Sequence, residues 1–127
     1  MAGVRFKIDF EKAFDKIKWP FLLQVLEIKG FPHKFNDMVM HIVSGGKVGI
    51  KINDEVGPYF CTHQGLRQGD PLSPLLFDLA SDVLAIMIER AMENGLIGGL
   101  SCHLVEKGVS ILQYADDTIL QIGRAHV

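Results

Sequence analysis

Two acidic sites near opposite ends of the chain constrain its fold more than any other feature. Asp9 ends an alternating apolar pattern, and Asp116 and Asp117 interrupt a second apolar pattern. Carboxylates repel one another and are costly to bury, so their charge must be offset. Residues so distant in sequence meet only if their strands are neighbours in a sheet, where strands lie roughly 4.8 Å apart. A divalent cation is the simplest partner, because Mg²⁺ prefers carboxylate oxygens.

Two interpretations of these acidic sites remain open from the residues alone. Asp-Asp is common in tight turns, and Asp9 is also suited to capping a helix or lying in a solvated loop. Alternatively, two metal ions in a phosphoryl-transfer site lie about 3.5–4 Å apart, which neighbouring strand ends can accommodate. Judged singly, the turn and cap interpretations are favoured.

Composition indicates a globular chain without a strong electrostatic signature. Its 127 residues suit one domain, and 48% are hydrophobic, enough for a core. The net charge of -2 gives no basic footprint for nucleic acid. The most apolar stretch, from Pro71 to Ala91, is interrupted by charged residues. It predicts a buried helix, and we expect no membrane span.

Hydrophobic periodicity predicts an α+β fold. Strands are expected at 4–9, 109–114 and 118–122, and a hairpin at 47–52 and 59–62 with a turn over 53–57. Helices are expected from Trp19 to before Gly30, from 34 to 43 and from 71 to 94. The acidic stripe of the last helix is expected to face solvent; it consists of Asp78, Asp82, Glu89 and Glu93.

Three segments, taken in order, carry a family resemblance. They are Ile8-Asp9-Phe10-Glu11-Lys12-Ala13-Phe14-Asp15, Arg67-Gln68-Gly69-Asp70-Pro71-Leu72-Ser73-Pro74 and Tyr114-Ala115-Asp116-Asp117. This set resembles the motifs of reverse transcriptases, which are RNA-directed DNA polymerases. The similarity is greatest to the non-LTR, LINE-type retrotransposon class, with plant elements as the expected source, and extends from about Val4 to Leu120. Group II intron enzymes are slightly less similar.

The resemblance implies a catalytic and metal-binding role for Asp9, Asp116 and Asp117. The main-chain carbonyl of Phe10 is a further metal ligand by this resemblance, and the cofactor is Mg²⁺ or Mn²⁺. Asp117 is expected nearer the primer end. The implied reaction is two-metal nucleotidyl transfer, which adds dNTPs to the 3′ end of a DNA primer on an RNA template.

The resemblance also places Phe10 among the substrate-binding residues, and three further residues match substrate-binding positions of the family. Phe14 matches an aromatic residue beneath the incoming sugar, where a ring would clash with a ribose 2′-hydroxyl. Gln68 and Gly69 match the loop that frames the nascent base pair, with the glycine allowing close backbone approach. Without the resemblance, Phe14 is a core residue and the other two belong to a loop that precedes a helix.

The fold implied by the resemblance is a partial polymerase palm, an antiparallel sheet with helices packed on one face. By this resemblance we expect residues 1–122 to form the palm domain, with the fingers mostly absent and the thumb absent, and 123–127 to form a divergent tail. We expect the isolated chain to be inactive, since fingers, thumb and an endonuclease belong to the rest of the polyprotein. By family analogy, its location is the nucleus or cytoplasm.

Four alternatives belong to other functional classes. The first alternative is a non-enzymatic retroelement remnant. The second is a nucleic-acid- or partner-binding module without catalysis. A nucleotide cyclase requires a Gly-Gly-acidic hairpin in place of Tyr114 to Asp117, and the chain lacks it. A nuclease requires a further carboxylate on a helix facing the site.

A zinc site is disfavoured, since the spacing of Cys61, His63, Cys102 and His103 matches no paired-ligand pattern.

Overall fold

A computed structural model describes residues 3–99, 110–114 and 116–123, and it confirms the α+β class. In chain order the elements are β1 (Gly3–Asp9), α1 (Trp19–Ile28), α2 (His33–Ser44), β2 (Lys47–Val48), β3 (Lys51–Ile52), β4 (Glu55–Val56), β5 (Phe60–Cys61), α3 (Ser73–Glu93), β6 (Ile111–Tyr114) and β7 (Asp117–Gly123). None of the described helices combines the length and apolar character that crossing a membrane requires.

The described residues fall into two compact units. The helical unit comprises Lys12–Ala80, and the sheet unit comprises the described residues up to Glu11 and from Ser81 onward. Helix α3 begins in the helical unit and ends in the sheet unit. The expectation of a single palm domain over 1–122 stays a prediction.

The sheet unit contains a three-stranded antiparallel sheet in the order β1-β7-β6. The register of β1 with β7 runs from Gly3 opposite Gly123 to Asp9 opposite Asp117. Directly opposite residues of antiparallel strands lie on the same side of the sheet. One side, here named the acidic face, therefore carries Arg5, Lys7, Asp9, Leu112, Tyr114, Asp117, Ile119 and Gln121.

The opposite side of the sheet is mostly apolar. It carries Val4, Phe6, Ile8, Ile111, Gln113, Thr118, Leu120 and Ile122. Gln113 donates its side-chain amide to the carbonyl of Ser81 at 3.3 Å, which links β6 to the second half of α3. Thr118 is only 1% exposed, because it lies in the central strand on this side. The alternation that predicted the strands thus corresponds to two chemically different faces.

The helical unit owes its core to the apolar stripes of its helices. Pro20 lies in the first turn of α1, where its missing N–H costs no hydrogen bond. The buried residues of the core cluster are Leu22, Leu26, Val39, Leu66, Leu76 and Phe77. Burying one such side chain stabilises a fold by roughly 1.5–3 kcal/mol. The cluster joins the three helices of this unit to the loop before α3.

The hairpin differs from the prediction in its turn. Two short ladders form, with Lys47 opposite Cys61 and Lys51 opposite Val56. The predicted turn over 53–57 was too long. Asn53 and Asp54 both have positive φ, 49° and 64°, so a two-residue turn reverses the chain at once. Strand β4 therefore begins at position 55.

Helix α3 begins two residues later than predicted. The side chain of Asp70 accepts a hydrogen bond from the Leu72 N–H at 3.0 Å, and its carbonyl accepts from the Ser73 N–H at 3.2 Å. Asp70 therefore caps the entry, and Pro71 occupies the position after the cap. In the acidic stripe, Asp82 is half-buried and the other three residues are exposed, as expected.

Candidate functional site

The sheet unit brings together two of the predicted site residues. Asp9 is the last residue of β1 and Asp117 the first of β7, and they are direct partners in the antiparallel register. Such partners have Cβ atoms about 4.5–5.5 Å apart and point to the same side of the sheet. Both residues are exposed. The two carboxylates therefore share the end of the acidic face.

This arrangement carries an electrostatic cost that ordinary sheet pairing avoids. Like charges directly opposite each other destabilise a sheet by a few tenths to about 1 kcal/mol. On the other side of Asp117 lies Tyr114, which is 84% exposed and carries no compensating charge. A bound cation is the kind of partner that removes the repulsion.

The other residues predicted to bind metal flank this pair along the chain. Asp116 is exposed in the turn that precedes β7, and Phe10, directly after β1, is 40% exposed. In the part of the chain that the structure describes, no group of three or more His, Cys, Asp or Glu side chains is placed to hold an ion. Mg²⁺ commonly takes only one or two protein carboxylates and completes its shell with water and substrate phosphate. The opposed pair Asp9 and Asp117 fits that donor set.

Phe14 lies in the helical unit, where its ring has a structural role. It stacks on Phe77 with ring centroids 4.6 Å apart and an interplanar angle of 16°. Its side chain is half-buried and packs against the core. The core-packing interpretation is therefore supported, and a contact with an incoming sugar stays a prediction.

The loop before α3 is held against the segment that contains Phe14. Leu66 donates its N–H to the Phe14 carbonyl at 2.8 Å, and Gly65 donates to the Ile17 carbonyl at 2.7 Å. The Trp19 indole N–H donates to the Gly65 carbonyl at 2.9 Å. These three bonds hold the two residues directly before the second motif against Phe14 of the first motif and the residues that follow that motif.

Gly65 makes this close approach possible, and we did not identify it from the sequence. Its φ is +93°, and a Cβ there would lie 2.7 Å from the carbonyl oxygen of Asp15. Only glycine satisfies both conditions without moving the backbone. The local sequence around Gly65 does not indicate this requirement, because the close contact is made with a segment distant in the sequence.

Gln68 and Gly69 are exposed in the same loop. Gly69 has a φ of +86°, and a Cβ there would meet nothing within 4 Å. Its backbone conformation therefore explains the glycine, and a close approach to substrate stays a prediction. The neighbouring Arg67 lies over buried Gly46, where a Cβ would collide with the guanidinium group.

Comparisons with known proteins agree with the motifs. Residues 3–126 match the family described as "Reverse transcriptase (RNA-dependent DNA polymerase)". A "Retrovirus-related Pol polyprotein from type-1 retrotransposable element R2" of Nasonia vitripennis is 32% identical over 114 residues, covering 89% of this chain and 10% of that protein. The type-2 R2DM polyprotein of Drosophila melanogaster is 35% identical over 77 residues, covering 61% of this chain and 7% of that protein.

A plant protein is also similar over part of the chain. The "Uncharacterized mitochondrial protein AtMg01250" of Arabidopsis thaliana is 46% identical over 55 residues, covering 43% of this chain and 45% of that protein. A plant source for this chain nevertheless stays a prediction. The chain spans about a tenth or less of the length of the two polyproteins.

Proposed function

This chain belongs to the reverse transcriptase (RNA-dependent DNA polymerase) family, of the non-LTR retrotransposon type, and from that premise we propose that it supplies the catalytic carboxylates of a polymerase palm. The reaction is transfer of a dNTP to the 3′ end of a DNA primer on an RNA template. The observation that carries the proposal is the register that sets Asp9 opposite Asp117 on one exposed face. In sequence, this pairing joins the first and last of the three motifs.

The proposed role of the carboxylates is to hold Mg²⁺ or Mn²⁺. Asp9 and Asp117 are the opposed donors in the sheet. The family pattern makes Asp116 the second carboxylate ligand, with Asp117 as its partner and the Phe10 carbonyl as a backbone ligand. When bound, divalent ions lower the pKa of an attacking hydroxyl and neutralise charge on the leaving group. The exposure of Asp9 and Asp117 leaves their oxygens accessible to a hydrated ion and to phosphate.

The proposed substrate contacts lie in the helical unit. We assign Phe14 to exclusion of the ribose 2′-hydroxyl, which requires a ring that cannot move aside. Its stacking on Phe77 and its carbonyl bond to Leu66 support this, because both restrict the segment. We assign Gln68 and Gly69 to the loop that frames the nascent base pair.

The RNA template, the DNA primer and the remainder of the polyprotein are the proposed partners. Because the chain spans so little of the R2 polyproteins, we expect the parts that grip the duplex to lie elsewhere. The 127-residue chain alone should therefore give no measurable primer extension on a homopolymer template. A clear extension signal that Asp116→Ala abolishes would refute this inactivity while supporting the assigned chemistry.

Metal binding is the direct test of the proposed site. Thermal melting of the chain with increasing Mg²⁺ or Mn²⁺ should show a rise in Tm, because a ligand that binds only the folded state stabilises it. Asp9→Asn should reduce that rise. Asp54→Asn is the matched control, since Asp54 has a 99% exposed side chain and its φ of 64° is one that asparagine tolerates.

The competing function is that of a retroelement remnant without catalysis. It predicts no stabilisation by either ion, or the same stabilisation in the Asp9→Asn and Asp54→Asn variants. Either result would count against the carboxylate site and in favour of the remnant.

A further inference from the structure

In the part of the chain that the structure describes, β1 has a free edge that suits a second copy of this chain. Among the described residues, β1 pairs only with β7 and forms one edge of the sheet. Edge strands present unpaired N–H and C=O groups that can pair with another strand. Val4 and Phe6 on this strand are 53% and 50% exposed. We propose that two copies associate by antiparallel pairing of their β1 strands, centred on Ile8.

The charge pattern of the strand selects this partner. Along the acidic face the chain places Arg5 and Lys7 first, and Asp9 follows. In the sequence Glu11 occupies the next alternate position after Asp9. Every second residue from position 5 to position 11 is therefore charged, with two basic residues followed by two acidic ones. A segment of this kind is complementary to its own antiparallel copy.

Only some registers use that complementarity. In a symmetric antiparallel pair, the two-fold axis is perpendicular to the sheet, so residues of the same face oppose each other. A pair centred on Phe6 sets Arg5 opposite Lys7, and a pair centred on Lys7 sets that lysine opposite itself. Like charges in these positions are unfavourable. Centring on Ile8 sets Lys7 opposite Asp9 in both halves of the interface.

The pairs farther from the centre agree with the same register. Phe6 then opposes Phe10, and Arg5 opposes Glu11, so apolar and oppositely charged residues match on their respective faces. Phe10 and Glu11 lie just beyond the end of β1, so these pairs require the ladder to extend by two residues. The Lys7–Asp9 pair lies within β1 and carries the test.

The geometry also favours a dimer over an open assembly. An edge paired with itself about a two-fold axis is an isologous interface, which closes after two copies. Basic residues on an edge normally discourage pairing with other strands. In β1 the basic residues disfavour the registers in which Arg5 and Lys7 would face each other. Asp9 favours the register centred on Ile8, in which it lies opposite Lys7.

The wild-type chain should sediment as a dimer of roughly twice its 14.1 kDa mass at low ionic strength with EDTA present. Without divalent ions, the result does not depend on the proposed catalytic function. Lys7→Glu should raise the dimer Kd by about tenfold or more, since it places two acidic residues opposite each other at both symmetric contacts. Lys34→Glu, at an exposed site on α2, makes the same change in net charge and should leave the Kd unchanged.

A charge exchange tests the register itself. The double variant Lys7→Glu/Asp9→Lys restores opposite charges across the interface and should recover the wild-type Kd, with far-ultraviolet circular dichroism confirming the fold of each variant. The proposal is overturned if the wild-type chain is monomeric at every concentration it tolerates, if Lys34→Glu weakens association as much as Lys7→Glu, or if the folded double variant stays monomeric.

Discussion

Replacing Gly65 by alanine should destabilise the helical unit more than the same replacement at Gly30. Both glycines have positive φ, +93° and +84°, so alanine loses about 1–2 kcal/mol at either position. The methyl group at position 65 would also lie 2.7 Å from the Asp15 carbonyl oxygen, whereas at position 30 it would meet nothing within 4 Å. The pair of variants therefore separates close packing from backbone conformation.

The additional cost at Gly65 follows from the bonds that a shift would break. To relieve the clash, the loop must move away from Asp15, which disrupts the Gly65–Ile17 and Leu66–Phe14 bonds of 2.7 and 2.8 Å. A backbone hydrogen bond contributes about 0.5–1.5 kcal/mol net. We therefore expect Gly65→Ala to lower the free energy of unfolding by about 3 kcal/mol and Gly30→Ala by about 1 kcal/mol.

Urea unfolding followed by tryptophan fluorescence measures this difference. Trp19 is the only tryptophan of the chain, and its indole N–H donates to the Gly65 carbonyl. The emission therefore reports on the contact itself. The midpoint should fall with little change in the slope of the transition. If Gly65→Ala loses no more stability than Gly30→Ala, the loop does not lie in close contact with the Asp15 carbonyl oxygen.

Four further substitutions test other parts of the fold. Leu26→Ala should cost about 2–5 kcal/mol in urea unfolding because Leu26 is 0% exposed, whereas Ile28→Ala, at 85% exposure, should cost less than about 0.5 kcal/mol. Asp70→Ala should cost about 1 kcal/mol in the same assay, because it removes the cap of α3. Asp117→Asn should raise the stability in EDTA by a few tenths to about 1 kcal/mol and abolish the Tm increase with Mg²⁺. Lower stability of Asp117→Asn in EDTA would contradict the inferred repulsion.

The sheet could be predicted from the sequence because two independent signals agree. Alternation of apolar and polar residues identified the strands that became β1 and β7, and Asp9 and Asp117 mark the end at which they pair. An acidic residue at the end of each strand restricts the register, since a shift would carry one carboxylate along the partner strand. For α1, Pro20 and Gly30 identified the ends, because each residue restricts the backbone in a known way.

Contacts made between distant segments could not be predicted in this way. Gly65 and Asp70 both lie in what the sequence shows as one glycine-containing loop, yet one contacts Asp15 and the other caps α3. In the hairpin, hydrophobic alternation gave a misleading expectation of burial, because such alternation is typical of a half-buried strand. Within the described residues, Ile50 and Ile52 are 59% and 67% exposed. Periodicity reports which residues share a face, but not what covers that face.

Asp9 connects the two proposals, because each offsets the same unfavourable charge. The sheet sets Asp9 opposite Asp117, and this repulsion is retained in a strand that could have avoided it with a neutral residue. Departures from local preference of this kind concentrate at functional sites. A divalent ion on the acidic face and Lys7 of a second copy are alternative sources of positive charge beside Asp9. If both proposals hold, metal binding and β1 pairing compete for one carboxylate, and the dimer is the form in which the proposed site is least able to bind metal.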